Sequence, residues 1–193
     1  MIADRLAARS PLAEAVLPDS SAVRIVEEPF LAGIDLWVDP SGPGGAAAST
    51  ELGTELPGPG RVAEGANTTA IWLGPEEWLI IGAGLDPVEL EHRLGSAVRE
   101  HRGAATDVSA QRTSLRLSGS RARDVLAKGC SIDLHPRVFP AGSTVQTMLA
   151  MAGMILIACD DTGTDYRILV RSSFARYLAA WLTDAAEEYT DAG

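Results

Sequence analysis

Hydrophobic and polar positions alternate most cleanly at residues 113–117. Thr113, Leu115 and Leu117 fall on one side, Ser114 and Arg116 on the other, which is the period of a half-buried strand. Ser118-Gly119-Ser120 interrupts the run and offers hydroxyls to cap a helix. Ala122, Val125 and Leu126 then recur at helical spacing, and Gly129 is placed to end that helix in the left-handed conformation. The same reading predicts strands at residues 22–27, 30–38, 69–73, 78–81, 145–151, 154–159 and 166–170. Gly74-Pro75-Glu76-Glu77, Gly153 and Asp160-Asp161-Thr162-Gly163 mark turns between neighbouring strands. Asp86-Pro87 opens a longer helix with the buried stripe Leu90, Leu94, Ala97 and Val98. Arg99, His101 and Arg102 sit where the helix dipole favours cations. A last helix, capped by Ser172-Ser173, places Phe174, Tyr177, Leu178, Trp181, Leu182 and Ala185 toward the core.

The chain carries a faint internal echo. Glu77-Trp-Leu-Ile-Ile precedes one helix, and Asp165-Tyr-Arg-Ile-Leu-Val precedes another. Two such ferredoxin-like strand–helix units facing an antiparallel sheet make an α+β fold with helices packed on one face. The 193 residues fit one domain, expected at 22–189 between an N-terminal arm at 1–21 and a tail at 190–193. In the arm, Leu6, Ala7, Leu12 and Ala15 are spaced as a frayed helix that Pro11 breaks. Residues 39–67 are rich in Gly and Pro and read as a surface loop, flexible or ordered against a partner. They lack the lysine and the leading strand of a phosphate-binding loop.

Composition narrows the function. An apolar fraction of 46% supports a core, and the net charge of −10 argues against nucleic acid and anionic membrane as partners. No stretch has the length of a membrane span, and residues 1–17 lack the apolar core of a signal peptide, so a cytoplasmic location is expected. Cys130 and Cys159 read as reduced thiols, and two Cys with three His at no ligand spacing argue against zinc.

Three constellations suggest chemistry. Asp107 and His135 with Ser109 make an acid, a base and a nucleophile on paper, but no strained nucleophile turn accompanies them. Asp160, Asp161 and Asp165 lack the glycine and the terminal glutamate of a calcium loop and read as a solvated hairpin. His92, His101 and the cations from Arg121 to Lys128 read as surface.

Seven segments carry a resemblance. They are Leu73-Gly-Pro-Glu-Glu-Trp-Leu, Asp107-Val-Ser, Leu115-Arg-Leu-Ser-Gly, Leu126-Ala-Lys-Gly-Cys, Asp133-Leu-His-Pro-Arg-Val-Phe-Pro-Ala-Gly, Gln146-Thr-Met-Leu-Ala and Leu169-Val-Arg-Ser-Ser-Phe-Ala-Arg-Tyr-Leu. In this order they resemble the gamma subunit of heterotetrameric sarcosine oxidase, a family similar in fold to the folate-binding domain of aminomethyltransferase. The resemblance implies a non-catalytic subunit of a complex that oxidises sarcosine to glycine, with formaldehyde or methylenetetrahydrofolate and hydrogen peroxide as co-products. It implies alpha, beta and delta partners that hold FAD, FMN, NAD, folate and zinc, with no cofactor, metal or catalytic residue in this chain. Asp107, Arg112, Asp133, His135 and Arg137 are then expected to be structural or to contact partners. Two departures stand out. Ala110 occupies a position that is His in many family members, and residues 150–157 lack the aspartate that aminomethyltransferases carry. The alternative, a stand-alone folate-binding one-carbon transfer protein, needs that carboxylate.

Overall fold

The computed structural model describes residues 8–190. Ten strands form two antiparallel five-stranded sheets. The first half of the chain runs β1 (Arg24–Glu28), β2 (Ala32–Trp37), α1 (Pro43–Leu52), β3 (Val62–Glu64), β4 (Thr69–Gly74), β5 (Glu77–Gly82) and α2 (Pro87–Val98). The second half repeats that order as β6 (Ala104–Asp107), β7 (Arg112–Ser118), α3 (Ala122–Ala127), β8 (Thr144–Leu149), β9 (Ala152–Ala158), β10 (Asp165–Arg171) and α4 (Ala175–Thr190). Sheet orders are β1-β7-β10-β9-β8 and β6-β2-β5-β4-β3. The two halves are therefore duplicates that exchange their first strands: β1 pairs with β7 of the second half, and β6 pairs with β2 of the first. The echo between β5–α2 and β10–α4 is part of this duplication, with each unit on its own sheet rather than both on one.

Each sheet has helices on one face. Leu115, Leu117, Leu156 and Ile168 meet Val125, Leu126, Leu178 and Leu182 of α3 and α4. Ile34, Leu36, Trp78 and Ile80 meet Ala48, Leu90, Leu94 and Val98 of α1 and α2. The opposite faces close on each other through Ile71, Leu79, Ile81, Ile155, Ile157 and Leu169. The layers run helix, sheet, sheet, helix.

Several elements depart from the sequence pattern for definable reasons. The Gly- and Pro-rich segment contains α1 and β3. Pro43 occupies the first turn of α1, and Gly53 closes it at φ 68°. The glycines there serve close approach: a Cβ on Gly45 would lie 2.5 Å from the Pro40 carbonyl oxygen. Farther on, Trp78 Nε1 donates to the Pro57 carbonyl at 2.9 Å, and Thr144 N donates to that of Gly60 at 2.8 Å, so the segment is bonded to both sheets. Residues 11–14 form a turn instead of a frayed helix, with Leu12 buried in the core; the arm's first seven residues lie outside the described region.

Gly129 does not take the left-handed conformation; a Cβ there would meet the Trp181 ring at 2.5 Å. The β8–β9 turn falls at Ala150 and Met151, with Ala150 at φ 50° and Gly153 inside β9. Asp86 caps α2 as expected, accepting from the Val88 and Glu89 amides. No side chain caps α3, and the Ser172 hydroxyl donates to the Ala110 carbonyl rather than capping α4. The buried stripe of α4 is Ala175, Leu178, Ala179, Leu182, Ala185 and Ala186. Phe174 and Tyr177 stay exposed at its edge, and Trp181 is half-buried.

The inter-sheet layer is thin, so truncation within it leaves a cavity that helices cannot fill. Leu79→Ala is expected to cost about 2–5 kcal/mol in urea unfolding, as a lower midpoint at unchanged slope. A loss below about 1 kcal/mol would mean the sheets do not meet there.

Candidate functional site

The chain passes between sheets at residues 29–31 and 108–111, and the Asp107-Val-Ser segment builds the second crossing. The Asp107 carboxylate accepts from the Ser109 amide at 2.9 Å and from its hydroxyl at 2.5 Å. Ser109 Oγ accepts from Gly33 N at 2.9 Å, and Val108 N donates to the Gly33 carbonyl at 2.8 Å. Asp107 thus locks β6 of one half against β2 of the other. His135 lies on a different loop, where its backbone amide donates to Asp133 at 2.9 Å and its Nδ1 accepts from Arg137 N at 3.2 Å. No hydrogen bond joins His135 to Asp107 or Ser109 among the described residues, and the triad on paper does not assemble.

The other constellations also resolve into structure. Asp160 accepts from the Gly163 and Thr164 amides and from the Thr162 and Thr164 hydroxyls, closing its own hairpin. Among the described residues no cluster of His, Cys, Asp or Glu is arranged for a metal ion. Cys130 and Cys159 are free thiols, not joined in a disulfide, and burial pushes the Cys159 thiol up. Lys128 holds Glu188 and the Ala185 carbonyl and lies over the Tyr189 ring. Among the described residues no helix is long and apolar enough to cross a membrane.

Charge concentrates on the inner face of β7 and β10, facing the inter-sheet layer. Register puts Arg116 opposite Arg167 at one end and Arg112 opposite Arg171 at the other, with Ser114 and Leu169 between. Like charges placed opposite each other in a sheet destabilise it. At the first end each arginine has its own carboxylate: Arg116 grips Asp165 at 2.5 and 2.6 Å, and Arg167 grips Glu28 at 2.8 and 3.0 Å. Both are two-pronged, the strongest form of the pair. Burial alone would raise the Glu28 carboxyl, but hydrogen bonds from Arg167 and Ser114 and the two guanidinium charges outweigh it and hold the group below its ordinary value.

The second end is built differently. Arg112 bonds only the neighbouring Gln111 side chain, and among the described residues no ion pair reaches Arg112 or Arg171. Burial and then Arg171 lower the Arg112 pKa, while Asp35 and Glu77 on the facing sheet raise it in part. Burial and then Asp35 push the Glu77 carboxyl up. Asp35 Oδ1 is enclosed without a hydrogen-bond partner. Arg137 is exposed beside exposed Val138 on the loop after Asp133. Sequence reasoning marked Arg112 but missed Arg171, Asp35 and Glu77, because only strand register shows that they face one layer.

The fold is shared with part of an aminomethyltransferase. The chain superposes on glycine cleavage system aminomethyltransferase T from Bartonella henselae with a TM-score of 0.62 at 15% identity, covering 84% of this chain and 45% of that one. A family model described as sarcosine oxidase, gamma subunit family, matches residues 38–188. Sarcosine oxidase subunit gamma of Corynebacterium sp. (strain P-1) is 36% identical over 188 residues, spanning 94% of this chain and 91% of the relative. That of Arthrobacter sp is 37% identical over 191 residues, spanning 94% and 91%. A chain of heterotetrameric sarcosine oxidase from Corynebacterium sp. U-96 in complex with pyrrole 2-carboxylate superposes with a TM-score of 0.85 at 33% identity, covering 96% of this chain and 98% of that one. This protein belongs to the sarcosine oxidase gamma subunit family, part of a heterotetrameric enzyme.

The Glu28–Arg167 pair sets a pH dependence. A carboxyl whose folded pKa is depressed contributes stability above its unfolded pKa and loses it as pH falls through the folded value. Glu28→Gln is expected to cost about 1–3 kcal/mol at neutral pH, with Arg167 left unpaired. The gap between variant and wild type should close as pH falls below the ordinary carboxylate range near 4. Thermal unfolding across pH checks this; a gap that does not narrow in acid would remove the ion pair as its cause.

Proposed function

We propose that this chain is an accessory subunit, without catalytic residues or a cofactor of its own, in a cytoplasmic sarcosine oxidase. In this reading the alpha, beta and delta subunits carry FAD, FMN, NAD, folate and zinc. Together they oxidise sarcosine to glycine with formaldehyde or methylenetetrahydrofolate and hydrogen peroxide. The observation that carries it is that the polar groups with catalytic potential are spent on the chain's own backbone: Asp107 on its crossing, Asp133 and His135 on their loop. A general acid or nucleophile needs a partner it can exchange protons with, and these carboxylates accept from groups that hold loops in place. Asp107, Asp133 and His135 are accordingly structural, and Arg112 and Arg137 are contacts to other subunits.

A stand-alone folate-binding transferase is disfavoured by composition. β8, β9 and the turn between them contain no Asp or Glu to hold the folate amine.

Tagged chain expressed in its native host is expected to co-purify with larger flavin-containing subunits, and the chain alone should turn over no sarcosine. Calorimetry should detect no micromolar binding of tetrahydrofolate. Recovery of the chain alone, or folate binding by it, would refute this reading.

A further inference from the structure

We propose that the Arg112–Arg171 pair receives a carboxylate from a neighbouring subunit of the oxidase, on an apolar segment that covers Met151, Phe174 and Tyr177. This deepens the accessory-subunit reading and rests on it. The chain itself supplies the comparison. Both cross-strand arginine pairs of β7 and β10 lie on one face of the same two strands. One pair is neutralised by two carboxylates in two-pronged bonds, Asp165 and Glu28. The other keeps the same geometry and the same opposition of like charge, with no carboxylate bonded to either guanidinium among the described residues. Asp35 and Glu77 approach from the facing sheet, and their charges act on Arg112. Arg171 is exposed and makes no side-chain bond among the described residues.

Surrounding residues have the composition of an interface. The β10–β9 ladder ends one residue before Arg171, at Val170 opposite Met154, and on β9 the neighbouring Gly153 is open: an added Cβ there would meet only the Met148 sulfur, at 3.8 Å. Directly after Arg171 the chain presents exposed Phe174 and Tyr177, and the Tyr177 hydroxyl accepts from the amide of Met151, itself 74% exposed. Exposed aromatics and methionine around an arginine mark interface cores, whereas scattered lysines mark free surface. A guanidinium pair set in such a rim matches a carboxylate in charge and in its two-pronged geometry. A carboxylate reaching both guanidiniums relieves the repulsion that the free chain carries.

The test titrates the full chain and its variants against the remaining subunits co-expressed without it, at low and high salt. Arg171→Glu is expected to weaken assembly about tenfold or more. It should leave the thermal midpoint of the free chain at or above wild type, because it sets a glutamate opposite Arg112. Arg171→Gln should weaken assembly and flatten its salt dependence; it serves as the deciding variant if the glutamate variant fails to fold. Met151→Ser should weaken assembly with the salt dependence intact. Wild-type affinity and salt dependence in Arg171→Glu or Arg171→Gln would overturn this proposal and leave the accessory reading standing. Failure of the wild-type chain to assemble would overturn both.

Discussion

Helices cover only one side of each sheet, so the other sides must be taken from water by something else. In this chain they cover each other, and the inner layer is the constraint on which the rest depends. It sets which strand positions are apolar, where charge can sit and where the chain can cross. Six aliphatic residues fill its centre. Charged residues lie around that centre, where guanidiniums reach a carboxylate or the solvent.

Strand exchange follows from the same requirement. Two sheets held only by side-chain contact could slide over one another. Here β1 leaves one sheet to enter the other, and β6 does so in the opposite sense, so the halves are joined by backbone ladders as well as by packing. Asp107, Ser109 and Gly33 tie the crossings together. This explains why a carboxylate–hydroxyl pair that looks chemical in sequence is architectural in space.

The long periodic elements were legible from residues alone. α2 announces itself by Asp86-Pro87 and its apolar stripe, and most strands fell within two residues of their observed bounds. α1 was not legible, because Gly44 and Gly45 mimic a flexible linker and their reason is contact with Val38, His101 and Pro40, all outside the helix. β6 is short and carries no apolar alternation. In α4 the aromatic residues dominate the pattern, yet small Ala175, Ala179 and Ala186 face the sheet and leave Phe174 and Tyr177 at the border. Of the expected site residues, Asp107, Asp133 and His135 are traceable to specific backbone bonds. Arg171 stayed hidden because its significance lies in standing opposite Arg112, a register that sequence does not print.

The duplicated scaffold also constrains where such a protein can make contact. Both sheet faces are occupied, so docking falls to helix exteriors, loops and the ends of the inner layer. Among these, one end of the inner layer brings together residues from both halves: Asp35 and Glu77 from one, Arg112 and Arg171 from the other. A partner bound there senses how the two sheets are placed relative to each other, whereas a partner on a helix exterior senses one half. The end closed by Asp165 and Glu28 is complete within the chain. The opposite end pairs an enclosed aspartate oxygen without a donor with two arginines without a bonded carboxylate. Leaving both deficits in one place costs the free chain stability, since enclosed polar groups without partners are unfavourable. The proposed partner carboxylate would fill one of these two deficits, the one at the arginines.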